Sequence, residues 1–133
     1  MSAIADVVLA DGQATPVNKT FSVQDCTSQL ATWEDRTSGI GVGMPAVTLS
    51  LTKGQTSNKV VAKVVLPVMK AITGSDGGYT PAAAVAYQLV GKVEIVLPTQ
   101  ATLQNRKDIL AFTKNFLANA FAVSAVQDFA RPF

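Results

Sequence analysis

Two stretches of this chain constrain its fold more than any others. Residues 60–67 read VVAKVVLP, and residues 87–98 read YQLVGKVEIVLP. Both alternate or nearly alternate in polarity, and each runs to a proline. Successive side chains of a strand point to opposite faces of its sheet. Val60, Ala62, Val64 and Leu66 therefore share one side, with Val61, Lys63 and Val65 on the other. In the second stretch Gly91, Val93, Ile95 and Leu97 share a side, opposed by Val90, Lys92, Glu94 and Val96. Each strand sets one lysine in the middle of a side that is otherwise apolar or small. The pattern predicts two adjacent strands with one solvent-facing side that carries cations and one side that is covered.

The rest of the chain supplies further strands before these and helices after them. IADVVLA (residues 4–10) is a short apolar strand, Asp11-Gly12 is a tight-turn signal, and TPVNKTFSV (residues 15–23) returns as a second strand. Asp25 to Ser28 reads as a loop. LATWED (residues 30–35) is a short strand with Leu30, Thr32 and Glu34 opposite Ala31, Trp33 and Asp35. Glycines 39, 41 and 43 mark a connection or bulge. Pro45 opens AVTLSLT, in which Val47, Leu49 and Leu51 oppose Thr48, Ser50 and Thr52, the pattern of a half-buried strand. KGQTSNK (residues 53–59) is a polar turn. Residues 68–80, with GSDGG at their centre, form a long connection of the kind that is functional or mobile in a small domain. After Pro98 the period changes: Ile109, Phe112 and Phe116, with Leu110 and Leu117, fall at helical spacing. Thr99 or Thr102 caps that helix, Asn119 stops or bends it, and residues 121–129 form a second, shorter helix. Strands followed by helices indicate an α+β fold: an N-terminal β-hairpin, an antiparallel β-sheet of about five strands, and two C-terminal α-helices. The 133 residues form a single domain, divided into a hairpin (1–24), a main sheet (29–98) and a helical segment (99–133). The helices carry apolar residues on a broad arc, Ile109, Leu110, Phe112, Phe116, Leu117 and Phe121, which a sheet this small covers incompletely. A second copy related by a two-fold axis could complete the cover, as could helices folded back on their own sheet. The residues alone leave both open.

Composition removes several function classes. Histidine is absent, which takes away the usual general base near neutral pH and the commonest metal ligand. The single cysteine, Cys26, forms neither an internal disulfide nor a cysteine metal cluster, and reads as a small, partly buried residue. The nine carboxylates form no recognisable catalytic set, and GSDGG lacks the lysine and the strand–helix context of a phosphate-cradling loop. No enzyme activity, metal or cofactor is expected. No apolar run approaches the ~20 residues of a membrane span, and MSAIADVV is not a secretory signal. The chain therefore reads as cytoplasmic in origin. The net charge of +2 does not by itself indicate a nucleic-acid binder. Its distribution is more informative: between Lys53 and Glu94 five bases (Lys53, Lys59, Lys63, Lys70, Lys92) face two acids (Asp76, Glu94).

The whole ordering resembles the coat proteins of single-stranded RNA bacteriophages of the levivirus type. The resemblance covers nearly the full chain. It rests on the hairpin, ATWED, TLSLT, the SNK turn into VVAKVVLP, the glycine-rich loop with Thr80-Pro81, KVEIVLP, and the two helices. It implies an interlocked homodimer with a continuous sheet, assembled into an icosahedral capsid, synthesised in the bacterial host cytoplasm and located in the virion. It implies genomic single-stranded RNA on the inner sheet face, in several members an operator hairpin through which the coat protein represses translation. A maturation protein is a further partner in the virion, and no membrane is involved. Carried across by position, the RNA side is Thr48, Ser50, Thr52, Lys59, Val61, Lys63, Val90, Lys92 and Glu94. Threonine, serine and lysine are also ordinary on a merely solvated sheet face. The inter-dimer loop is Met69, Gly74, Asp76, Gly77, Gly78, Thr80 and Pro81, and the clasping helices are those of Ile109 to Phe121. Several members stack a base on an aromatic of the last strand, where this chain has Val90. Stacking supplies ~1–3 kcal/mol per base, so multi-site or non-specific RNA contact is expected here over tight reading of one hairpin. The alternative from a different class is a small dimeric nucleic-acid-binding regulator that makes no shell.

Overall fold

The computed structural model describes residues 3–37, 41–70 and 84–132. Six strands form one sheet in chain order, β1 (Val7–Ala10), β2 (Asn18–Cys26), β3 (Leu30–Glu34), β4 (Ala46–Lys53), β5 (Ser57–Met69) and β6 (Val85–Pro98). Two helices follow, α1 (Leu103–Leu117) and α2 (Ala120–Asp128). The α+β order is as expected, with six strands in place of about five because the hairpin continues the main sheet through the β2–β3 pairing. Two compact units result, Met1–Val96 and Leu97–Phe133.

In the first unit local chemistry closes the β1–β2 and β4–β5 turns. The β1–β2 turn is wider than an Asp-Gly turn. The Asp11 carboxylate gathers it, with Oδ1 accepting from the backbone N–H of Gln13 (3.2 Å) and of Val17 (3.0 Å). The two donors draw residues 11–17 around one anion, so pairing resumes only at Asn18. β2 runs on to Cys26, past the expected end at Val23, because a bulge between Val23 and Asp25 absorbs one residue and lets Asp25 and Cys26 pair with Thr32 and Ala31. The β4–β5 turn is shorter than expected, since pairing extends to Lys53 and Asn58. Gly54 N–H donates to the Ser57 carbonyl at 2.9 Å. A Cβ on Gly54 would lie 2.6 Å from that same oxygen, so this position requires glycine. β5 does not stop at Pro67. Its last β4 partner is Val65, opposite Ala46, so the missing proline N–H costs no bond to β4, and the strand continues to Met69.

The register fixes the faces, because residues directly opposite in an antiparallel pair lie on the same side. Trp33 faces Val23 and Val47, and Val47 faces Val64. Phe21 lies two residues before Val23. Phe21 and Trp33 are the buried large apolar residues among those described. The Trp33 indole N–H donates to the Ala5 carbonyl at 2.9 Å, which ties the N-terminal segment to this core. Asp35 is also buried; its Oδ1 accepts from the Thr37 backbone N–H at 3.1 Å and from the Thr37 hydroxyl. The Thr37 hydroxyl, then its N–H, and the charge of Lys19 hold the Asp35 carboxyl below the ordinary 3.8, against the opposing effect of burial.

In the second unit Thr102 is the N-cap of α1, its hydroxyl accepting from Asn105 N–H at 3.2 Å. Asn119 does more than stop the first helix. Its side chain accepts from Phe121 N–H at 3.0 Å, making it the N-cap of α2. The two helices bend by 50° at that point, and neither alone is long and apolar enough to cross a membrane. Phe129 closes α2 in the left-handed conformation, with φ of 54°.

Candidate nucleic-acid interface

The sheet register brings most of the expected RNA-facing residues together. Thr48 is opposite Lys63, Ser50 opposite Val61, and Thr52 opposite Lys59. These pairs form three successive rungs on the side away from Trp33, Val47 and Val64. β6 joins β5 through the Lys70 N–H bond to the Ala84 carbonyl (2.9 Å) and an ion pair between Lys59 Nζ and Glu94 Oε1 (3.1 Å). That ion pair puts Glu94 on the same side as Lys59. Strand alternation then adds Lys92 and Val90 to it. Lys59, Lys63, Lys92 and Val90 are exposed, while Thr48, Ser50 and Val61 are half-buried within the pleat.

The same register extends the surface onto β3. Thr32 stands opposite Thr48, and Leu30 opposite Ser50. Both belong to the rungs of Lys63 and Val61, yet neither was among the expected contact residues. The signal for them lies in LATWED: once the lone tryptophan is assigned inward, Leu30, Thr32 and Glu34 must point outward. Glu34 lies one rung further, opposite Ala46, and its carboxylate is 3.9 Å from Arg36 Nε. An acidic group thus bounds the polar surface at that end.

The opposite face is apolar and poorly covered within one chain. Leu49, Leu51, Val64 and Leu66 are each between 41% and 45% exposed. An open cleft of about 470 Å³ lies here, lined by Leu9, Lys19, Phe21, Pro45, Val64 and Leu66 among others. The helical residues expected to clasp a partner are likewise uncovered. Ile109 is 41% exposed, Leu110 58%, Phe112 70%, Phe116 62%, Leu117 55% and Phe121 62%, and neither helix has a buried residue. Of the expected inter-dimer loop, Met69 ends β5 with its thioether against Gly43. Gly74, Asp76, Gly77, Gly78, Thr80 and Pro81 lie outside the described residues. Cys26 is exposed at the end of β2, where partial burial was expected. The bulge that carries β2 past Val23 leaves it at the sheet margin. Among the described residues no group of acids and cysteine could hold a metal ion.

A hydroxyl-lined, lysine-dotted sheet surface can bond phosphates and base edges and offers no nucleophile–base pair. The comparisons with known proteins bear on the whole chain and not on this surface alone. The family model for the levivirus coat protein matches residues 2–133. The virus-like particle of bacteriophage ESE058 has a subunit 28% identical, with a TM-score of 0.93 over 99% of this chain and 100% of that one. The virus-like particle of bacteriophage NT-214 gives 29% identity and a TM-score of 0.87, covering 99% of this chain and 100% of the other. The capsid protein of bacteriophage GA shares the fold at 19% identity and a TM-score of 0.72, over 97% and 96% of the two chains. No curated protein sequence matches the chain. With the family match extending from Ser2 to the last residue and the same sheet-then-helices order in these particles, the chain belongs to the levivirus coat protein family and is a structural capsid protein, not an enzyme.

Proposed function

We infer that this chain forms interlocked homodimers, that the dimers close into an icosahedral shell, and that the Thr48–Lys63–Lys92 side of the sheet lines the interior against genomic single-stranded RNA. One observation carries the reading: the two sides of the sheet differ in chemistry, and in a single chain the apolar side and the apolar arc of the helices are both left open. Burying apolar surface drives association. A twin chain whose helices cover this sheet satisfies both deficits at once, and a two-fold axis does so symmetrically. The other side then remains wet. Lys63 and Lys92 suit phosphates as mobile point charges, and the hydroxyls of Thr48, Ser50 and Thr52 suit phosphate or base edges. Joined sheets from many dimers repeat these weak contacts, and repetition gathers a long RNA through effective concentration. Val90 offers no aromatic face for a base, which supports distributed contact over capture of a single operator hairpin, and so supports packaging over translational repression.

Expression of the full chain in bacteria, followed by size-exclusion chromatography and negative-stain microscopy, tests this. Particles of virus size with the ultraviolet absorbance of a nucleoprotein are expected. A dimer that persists at every protein and salt concentration, with nucleic acid bound, would instead indicate a small regulatory binding protein.

A further inference from the structure

The cations of the wet side are not equivalent. Lys59 Nζ lies 3.1 Å from Glu94 Oε1, and the two side chains stay 49% and 40% exposed. Among the described residues no acid pairs with Lys63 or Lys92. Among the described residues that side therefore has two cations without an acidic partner and one that is already answered. Thr52, directly opposite Lys59 on β4, adds a hydroxyl beside the ammonium that Glu94 answers.

The three groups differ in what they accept. An ionised carboxylate accepts hydrogen bonds and donates none, so it repels a phosphate and attracts N–H groups. Single-stranded RNA presents such groups on its base edges. The exocyclic amine of cytosine is a carboxylate's usual partner, and adenine offers an amine as well. Uracil has no exocyclic amine; its one edge donor, N3–H, lies between two carbonyl oxygens that a carboxylate repels. The exposed ion pair is weak, so Lys59 can turn toward a ligand while staying beside Glu94.

We propose that Glu94, Lys59 and Thr52 form a base-reading subsite that takes an unpaired, amine-bearing base and turns away backbone phosphate, while Lys63 and Lys92 hold the backbone. The proposal rests on the RNA-facing assignment above and adds to it a preference in which base lies where. Glu94 is then a positioning and specificity residue, and its charge lowers general affinity while raising discrimination.

The test uses full-length protein dissociated from particles, titrated with oligocytidylate and oligouridylate of equal length by fluorescence anisotropy over a range of salt. Wild type binds oligocytidylate severalfold more tightly. Glu94→Gln binds oligouridylate more tightly than wild type does, and the difference between the two oligomers collapses. Its salt dependence steepens by ~0.7 in log–log slope, the increment for one additional phosphate on a single strand. Lys59→Gln costs little affinity in the wild-type background and more in Glu94→Gln, because removing the carboxylate frees Lys59 for phosphate. Wild type without a cytosine preference, or Glu94→Gln with unchanged preference and slope, overturns the subsite. The double variant Lys63→Ala/Lys92→Ala separates this from failure of the RNA-facing assignment. If it binds both oligomers as wild type does, the assignment itself falls. If it weakens both while Glu94→Gln changes nothing, the subsite alone falls.

Discussion

Replacing Phe112 with serine asks whether α1 packs against a second copy. In a single chain Phe112 is 70% exposed, the most open of the six clasp residues. A phenylalanine presents roughly 200 Å², so about 140 Å² stays available for an intermolecular contact. At ~25 cal/mol per Å² that area corresponds to about 3.5 kcal/mol per protomer if fully covered. A two-fold dimer contains the contact twice, giving an upper figure of about 7 kcal/mol. Half of that still weakens association by more than two orders of magnitude, at about 1.4 kcal/mol per tenfold. Serine and phenylalanine have similar helix propensities, so α1 itself should survive the change. Sedimentation equilibrium of Phe112→Ser at low micromolar concentration should show monomer where wild type shows dimer or shell, with far-UV circular dichroism unchanged. A variant that still dimerises with wild-type affinity would refute the idea that this arc is covered by a twin chain.

Other consequences follow from the same geometry. Particles of Lys63→Ala/Lys92→Ala should carry less RNA than wild type, read from the ratio of nucleic-acid to protein absorbance, while the dimer stays folded; an unchanged ratio removes both lysines from the interface. The Asp35 carboxyl is held below the ordinary 3.8, first by the Thr37 hydroxyl. Its contribution to stability is complete above the unfolded value and drains away as pH falls through the lower folded value. Denaturant midpoints of wild type should therefore drop below about pH 4, and Asp35→Asn should show a shallower acid limb. Asp11 is shifted the same way, chiefly by the Val17 N–H, so some acid sensitivity should survive in that variant. Gly54→Ala should lower stability by about 1–3 kcal/mol in chemical denaturation, because its Cβ meets the Ser57 carbonyl and the turn must shift. Thr102→Ala should cost about 1 kcal/mol by removing the hydroxyl that receives Asn105 N–H.

The strand faces were readable because alternation in AVTLSLT, VVAKVVLP and KVEIVLP leaves one polarity assignment for each segment, and register does the rest. The order of elements followed from the change of period after Pro98. Strand ends were not readable. They depend on where partners stop, as at Pro67, which is harmless because β4 has already ended, and at Asp11, whose carboxylate widens a turn that its sequence would close tightly. Asn119 looked like a stop because its role as a cap is visible only when the next helix is known to begin at Ala120. The outward side of β3 was legible from Trp33, but that Thr32 and Leu30 share rungs with Lys63 and Val61 depends on the β3–β4 and β4–β5 registers. The Lys59–Glu94 pair lies beyond periodicity altogether, since it joins residues 35 positions apart and depends on how β6 sits beside β5.

Ultraviolet cross-linking of RNA-filled particles, followed by mass spectrometry of the peptides that retain nucleotide, reports most directly on which surface meets the genome. Adducts should concentrate in residues 48–63 and 90–94, with Thr32 on the neighbouring strand. Adducts confined to residues 103–128, with none on those strands, would put the nucleic acid against the helices and contradict the account.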